Sequence, residues 1–442
     1  MRRTLRGSLV ALSVSALFLT ACSGGSSDGA SGSQDEATKP GEKVELNFWA
    51  WAPEMDKTVE VWNESHPDIH VTVNKQDGGD PAVTKLLTAT KAGSGAPDLM
   101  QAEYQALPTM VAAGALADIK GDLSGEAQGH FADGVWNAVT LGTDAVYAVP
   151  QDAAPLMFFY RSDVFDKLKI KVPTTWDEYA QAARTIHKAD KKKYLGTFSA
   201  NDAGLFAGLT QQNGASWWGI DGDAWSVNID SDASRKVAQY WGGLVEEGVI
   251  DNTPMYTPGW NSALNKGTQV GWVSAVWAPG VLAGNAADTK GKWKVAPMPQ
   301  WTSGANVSGS WGGSSTAVTS QSKHKAAAAE FAEWLNTSAD GVKALATISN
   351  VYPADQKNTA AALTEPPAFF KDQPDFYEVA AKVAGTTAPF TYGPNTNVAY
   401  SAFNDAFGKA AQSKSAAAFT QALTTMQTQT VEDLKSSGFT TK

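Results

Sequence analysis

Sixteen tryptophans are spread through the 442 residues, and a subset of them stands where an indole ring could meet a ligand. Trp49 and Trp51 precede Pro53, Trp217 and Trp218 precede Gly219, Trp277 precedes Pro279-Gly280, and Trp311 precedes Gly312-Gly313. Each joins an apolar run to a Gly- or Pro-containing loop, and in open α/β sheets ligands bind at the loops beyond the carboxyl ends of the strands. Indole stacks on the C–H face of a sugar ring, while the sugar's hydroxyls need polar partners at the rim. Such partners stand on loops as well: Asp77 in Gln76-Asp77-Gly78-Gly79, Glu103 and Tyr104 after Pro97-Asp98-Leu99-Met100, Asp152, and Tyr392 with Asn395 in Phe390-Thr391-Tyr392-Gly393-Pro394-Asn395. A carboxylate accepts two hydroxyls at once and suits a neighbouring diol, and glycines such as Gly78, Gly79 and Gly312 let backbone N–H groups approach a ligand. Trp260 is counted with the ligand-binding rings. Trp62, Trp176, Trp241 and Trp334 fall inside helical patterns beside other apolar residues and are expected in the core.

Other chemistries fare worse. Glu103 and Asp152 could serve as the paired carboxylates of an exported glycoside hydrolase, since spacing along the chain does not reveal their separation, and that is the alternative reading. The sequence contains no G-x-S-x-G, H-E-x-x-H or P-loop motif, and no G-x-G-x-x-G follows a strand. No cofactor is expected. The five histidines are scattered; His66 and His70 have a helical spacing, but Pro67 and the β-branched run after it argue against a helix there. A single cysteine excludes an intrachain disulfide and a cysteine-built zinc site. A net charge of -10 argues against nucleic-acid binding, because there is no basic excess to neutralise phosphates.

That one cysteine speaks instead to location. Basic Met1-Arg2-Arg3-Thr4-Leu5-Arg6, then the apolar and small residues from Ser8 to Thr20, have the form of a signal peptide too short to span a bilayer. Leu19-Thr20-Ala21-Cys22 resembles a bacterial lipobox, so residues 1–21 are expected to be cleaved and Cys22 lipidated at the outer face of the cell membrane. Loss of Arg2, Arg3 and Arg6 takes the net charge from -10 to -13. Residues 22–42, rich in Ser and Gly and without apolar periodicity, read as a flexible tether.

The rings and carboxylates need elements to hold them. From Val44 onward short apolar strands alternate with amphipathic helical stretches, which argues for an α/β protein on parallel sheets. Strands are expected at 44–49, 69–73, 97–100, 145–150 and 156–160. Helices are expected around 59–62, over 82–92, from Ser162 with its serine as cap, from Thr175 with Glu178 as a capping box, and over 323–335 and roughly 399–434.

Taken together the sequence resembles the extracellular solute-binding proteins of bacterial ABC sugar importers, the group that includes maltose-binding protein. The resemblance spans nearly all of the mature chain. It is carried by the lipobox and tether, Pro97-Asp98-Leu99, Tyr147-Ala148-Val149-Pro150 running into Phe159-Tyr160-Arg161-Ser162-Asp163-Val164-Phe165, and Val172-Pro173-Thr174-Thr175-Trp176-Asp177-Glu178. Ala296-Pro297-Met298-Pro299, Trp311-Gly312-Gly313-Ser314-Ser315 and the helix of 326–335 complete it. Where that family often has Gly-x-Trp, this chain has Ala275-Val276-Trp277. The resemblance implies two α/β lobes, each a mainly parallel sheet flanked by helices, joined by hinge strands and closing on a ligand between them. Lobe one would take 43–151 and 304–351, lobe two 152–303 and 352–442, with hinges near Gln151-Asp152, Ser303-Gly304 and Asn350-Val351-Tyr352. It further implies a monomer without catalysis that captures an oligosaccharide, a di- to tetrasaccharide given the number of rings, and delivers it to the transmembrane subunits of an ABC permease.

Overall fold

The computed structural model describes residues 43–222 and 224–442; the expected signal peptide, the lipidation site Cys22 and the tether lie outside the described residues. Ten strands are present among them: β1 Val44–Ala50, β2 Ile69–Lys75, β3 Leu99–Glu103, β4 Ala148–Asp152, β5 Leu156–Arg161, β6 Trp218–Asp221, β7 Ala224–Val227, β8 Gly271–Ala275, β9 Trp293–Pro297 and β10 Ser314–Val318. They form a five-stranded sheet in the order β2-β1-β3-β10-β4, a three-stranded sheet β8-β5-β9, and the hairpin β6-β7. Strand β5 is buried along its whole length, as its unbroken run Leu-Met-Phe-Phe-Tyr requires of a central strand covered on both faces.

The two-lobed α/β architecture is as the sequence implied, but the strand directions correct the expectation of mainly parallel sheets. β1 runs parallel to β2 and β3, β10 is antiparallel to both β3 and β4, and β5 is antiparallel to both β8 and β9. The cause is where the chain enters each sheet. β5 and β10 follow directly on a passage from one sheet to the other, so they start at the junction and run outward. Their neighbours in the same sheet run inward and end there. The carboxyl ends of β1, β3, β4 and β8 are thereby all delivered to the junction.

Hydrophobic clusters sit on the two faces of the first sheet, one built from Leu46, Phe48, Val59, Trp62 and Phe331, the other from Leu86, Met100, Leu107 and Met110. A separate, larger cluster fills the second lobe, with Phe158, Trp176, Tyr179, Trp241, Phe403 and Phe419 at its centre. The capping box is present in full: Glu178 N–H donates to the Thr175 hydroxyl and Thr175 N–H donates to the Glu178 carboxylate. Ser162 is not a cap. The helix Ser162–Leu168 starts from Arg161, and the Ser162 hydroxyl instead donates to the Lys292 carbonyl at 3.2 Å. The C-terminal stretch is two helices, Thr396–Ser413 and Ala416–Ser436, parted at Lys414, whose φ of 51° leaves the helical region.

Three segments lie side by side at the junction. Ala153 N–H donates to Tyr352 O (2.9 Å), Ala354 N–H to Gln151 O (3.1 Å), Trp311 N–H to Ala154 O (3.0 Å), and Ser314 N–H to the Asp152 carboxylate (2.8 Å). Just before its passage the chain is still held by the second lobe, Ser308 by Thr386 and Ser310 by Gln211. It reaches the first sheet at Ser314, later than the Ser303-Gly304 point suggested by sequence.

Candidate functional site

On the first-lobe side, the ends of β1 and β3 and the loop after β2 come together. Gln101 accepts hydrogen bonds from Trp51 N–H and Ala52 N–H, both at 3.0 Å, and so fixes the chain where β1 gives way to its helix. Gly78 lies flat on the Trp51 indole: a Cβ there would sit 3.1 Å from the ring. Beside it, a Cβ at Gly79 would be 3.7 Å from the Glu103 carboxylate. The next residue, Tyr104, donates from its hydroxyl to Asp152 O at 2.9 Å, tying the end of β3 to the end of β4.

On the second-lobe side, five aromatic rings form one cluster. Trp277 meets Trp311 edge-on with centroids 4.7 Å apart and Trp272 at 5.8 Å; Trp272 meets Trp260 at 5.1 Å, and Tyr256 meets Trp260 at 5.5 Å. Edge-to-face contacts of this kind hold rings rigidly as well as contributing area. Trp272 and Trp260 are buried, Trp277 is partly open and Tyr256 is 44% exposed, so the cluster presents its outer members on an immobile base. The Trp277 indole N–H donates to Trp311 O at 3.0 Å, and the Trp311 indole hydrogen-bonds the carboxylate of Asp202.

Asp202 also caps the helix Ala203–Gln212, accepting from Leu205 N–H at 3.0 Å. Burial pushes its carboxyl up to about 6, against the pull of those N–H donors. Asp152 behaves alike: burial raises it to about 6 although Ser314 donates to it from both N–H and hydroxyl, at 2.8 and 2.6 Å. Burial also raises the hydroxyls of Tyr104, Tyr392 and Tyr400, so these remain protonated donors. Tyr392 and Tyr400 hydrogen-bond each other and both feel the charge of Glu103, while Tyr400 feels Asp202 too. The carboxylates of the two lobes therefore face one neighbourhood.

Of the residues singled out by sequence, Trp51, Glu103, Tyr104, Asp152, Trp277, Trp311, Gly312 and Tyr392 converge on this junction. Others do not. Trp49 is buried in the first sheet's core with the Lys85 ammonium 4.1 Å from its ring centroid. Trp217 is 0% exposed and Trp218 2%; Trp218 packs so closely on Gly393 that a Cβ there would overlap its ring, and Trp260, also 0% exposed, reaches the junction only as the buried base of the aromatic cluster. Asn395 is consumed internally, accepting from the Trp218 indole at 3.3 Å and donating to Thr430 O and Asp433 at 2.9 Å each. Asp77 is exposed on its loop. Sequence reasoning missed Asp202, Tyr256 and Tyr400. Asp202 reads as an ordinary cap, and Tyr400 as one residue of an Ala-rich helix; the one available hint was Gly204, whose missing side chain makes room for Trp311, since a Cβ would lie 3.0 Å from that ring.

Known proteins resemble the chain in the same terms. The family model for bacterial extracellular solute-binding proteins matches residues 34–342. The chain is 25% identical over 363 residues to an arabinooligosaccharide-binding protein of Bacillus subtilis (strain 168), covering 78% of this chain and 79% of that one. Among solved structures it is similar to the galacto-N-biose-/lacto-N-biose I-binding protein of an ABC transporter from Bifidobacterium longum, in complex with lacto-N-biose, with a TM-score of 0.79 and 28% identity over 92% of this chain and 100% of that one. It is also similar to an ABC transporter associated binding protein from B. animalis subsp. lactis Bl-04 in complex with beta-1,6-galactobiose, with a TM-score of 0.77 and 28% identity over 91% of this chain and 100% of that one.

Proposed function

The chain belongs to the bacterial extracellular solute-binding proteins, and on that premise we propose that it captures a neutral di- to tetrasaccharide between its lobes and hands it to the membrane subunits of an ABC importer. The observation that carries the reading is the aromatic cluster at the junction, with Trp277 and Tyr256 open above Trp311, Trp272 and Trp260, next to the acceptors Asp202 and Glu103 and the hydroxyls of Tyr392 and Tyr400. Flat apolar rings beside hydroxyl-accepting carboxylates are what a pyranose or furanose needs, and the acidic surroundings disfavour anionic sugars. The relatives named above take arabino-oligosaccharides, lacto-N-biose and beta-1,6-galactobiose, which favours arabinosyl and galactosyl oligosaccharides as the first to be tried.

In this reading the lobes hinge on the segments 152–155, 310–314 and 351–354, and Asp152 with its Ser314 partner stands at the pivot. Capture is non-catalytic; the relatives are binding proteins, and a glycoside hydrolase finds no support among them. Cys22 would hold the protein at the outer membrane face through its lipid. The test is titration with galacto- and arabino-oligosaccharides, following Trp fluorescence and then analysing the sugar. The expected result is a saturable change with the sugar returned uncut, and a loss of about 2 kcal/mol or more in affinity for Trp277→Ala. Cleavage of any oligosaccharide by the parent would overturn the proposal, as would a Trp277→Ala variant that binds as well as the parent.

A further inference from the structure

Away from the junction, the second lobe carries a charge opposite to that of the molecule. Three segments, 161–171, 184–194 and 264–294, hold thirteen Lys and Arg against four Asp, while the whole chain has a net charge of -10. The fold gathers these segments at one place. β5 runs outward from the junction, and at its far end Arg161 pairs with Trp293 of β9, Arg161 N–H donates to Val270 O, Ser162 N–H to Lys292 O, and Tyr194 N–H to Thr268 O. The lysines within 188–193, at 266 and within 290–294 therefore crown the end of the lobe remote from the cleft, whereas Lys171 lies on the stretch leading back to Thr174, which accepts from Gln300 beyond the inward end of β9.

We propose that this basic end rests on an anionic phospholipid surface. Its cations are of the kind that suits a diffuse charged layer. Both guanidinium groups in the region are already engaged, Arg161 with Asp163 and Arg184 with Glu247. What remains is lysine: Lys191, Lys192, Lys266 and Lys290 are exposed and form no ion pair among the described residues. Lysine is a compact, hydrated point charge without the fork that selects one carboxylate or phosphate, so a set of them on convex loops fits smeared headgroup charge better than a discrete ligand. The remaining surface, acidic on balance, is repelled by the same membrane, so attraction is directional. An extracellular protein tethered at its N-terminus experiences that surface at high effective concentration, so a contact that is weak and salt-sensitive from solution still orients it. β1 runs from Val44 toward the junction, so the described chain starts at the remote end of the first lobe. Tethering through one lobe and attraction at the far end of the other would keep the cleft from tumbling freely above the bilayer.

The experiment uses the mature chain from residue 22 carrying Cys22→Ser, so that no acyl chain contributes, and vesicles of phosphatidylcholine with or without phosphatidylglycerol. Cosedimentation is expected only with phosphatidylglycerol, falling as salt is raised. Reversing Lys191, Lys192, Lys266 and Lys290 to Glu should weaken it by about tenfold or more. Reversing Lys43, Lys91, Lys343 and Lys382, which changes the net charge equally, should leave it nearly unchanged; melting curves confirm that both variants fold. Absence of binding by the parent, or equal loss in both variants, overturns the proposal. So does retention by a soluble polyphosphate without retention by vesicles, which would assign the end to a polymer instead.

Discussion

At the scale of single residues, Asp202 has two pH dependences of opposite sign. Its carboxyl ionises near 3.8 in an unfolded chain and near 6 in the fold, because burial disfavours the charge more than its N–H donors favour it. The folded state thus binds the proton more tightly, so this group's contribution to stability is greatest below about 4, declines as pH rises to about 6, and is unfavourable by a constant amount above that. Sugar binding runs the other way, since a hydroxyl donates to the ionised form: affinity should hold above about 6 and fall below it. Asp202→Asn keeps a capping side chain and removes the charge. It should stabilise the unliganded protein at neutral pH by about 2 kcal/mol, reduce the decline in stability between about pH 4 and 6, to which Asp152 also contributes, and remove the fall in affinity below about 6. Thermal melts and calorimetric titrations across the acid range would reveal it; unaltered slopes would contradict the assignment. Residues such as this were hard to read from sequence because a cap and a ligand acceptor use the same side chain. Trp217, Trp218 and Trp260 misled in the opposite direction: their loops looked like cleft loops, but which ring is covered depends on Gly393 and Tyr256, one distant in sequence and the other read only as loop.

At the scale of elements, the segment entering β10 is the most constrained piece of backbone at the site. Gly313 has φ 93°, and a Cβ there would lie 2.8 Å from the Tyr104 ring and 3.2 Å from Asp152 O. Gly313→Ala combines left-handed strain with displacement of Tyr104, and should cost about 1–3 kcal/mol and weaken sugar binding markedly. Thr175→Ala, which removes half of the capping box and none of the cleft side chains, should cost about 1 kcal/mol and leave affinity alone. Urea unfolding with parallel sugar titrations separates the two; an affinity loss in Thr175→Ala matching that in Gly313→Ala would show that both act through general destabilisation. The capping box could be read directly because all its atoms lie within four consecutive residues. Strand direction could not. The unbroken apolar run of β5 marks it as a strand, but its antiparallel pairing with β8 and β9 follows from the side on which the chain enters the lobe, which no local pattern encodes.

At the scale of the whole molecule, every strand and hydrophobic cluster described lies after residue 43, so anchoring and capture are expected to be separable. Cys22→Ser should release the protein from membranes washed at high salt, which screens the basic end, and leave melting temperature and sugar affinity unchanged, which fractionation and titration of the same preparation would test. The two-lobed plan was legible because its motifs occur in a particular order along the chain, whereas the points of passage were less so, since residues 304–313 look equally at home in either lobe. The place of β10 has a further bearing on how such a chain comes into being. β10 lies between β3 and β4, which do not pair with each other, so the first sheet has a gap at its centre until residue 318 has been made. An emerging N-terminal portion cannot finish its lobe on its own, and folding from the N-terminus forward stalls at an unfilled strand. Export in an unfolded state would gain from that delay: the order of the strands would hold the chain open until most of its length is across.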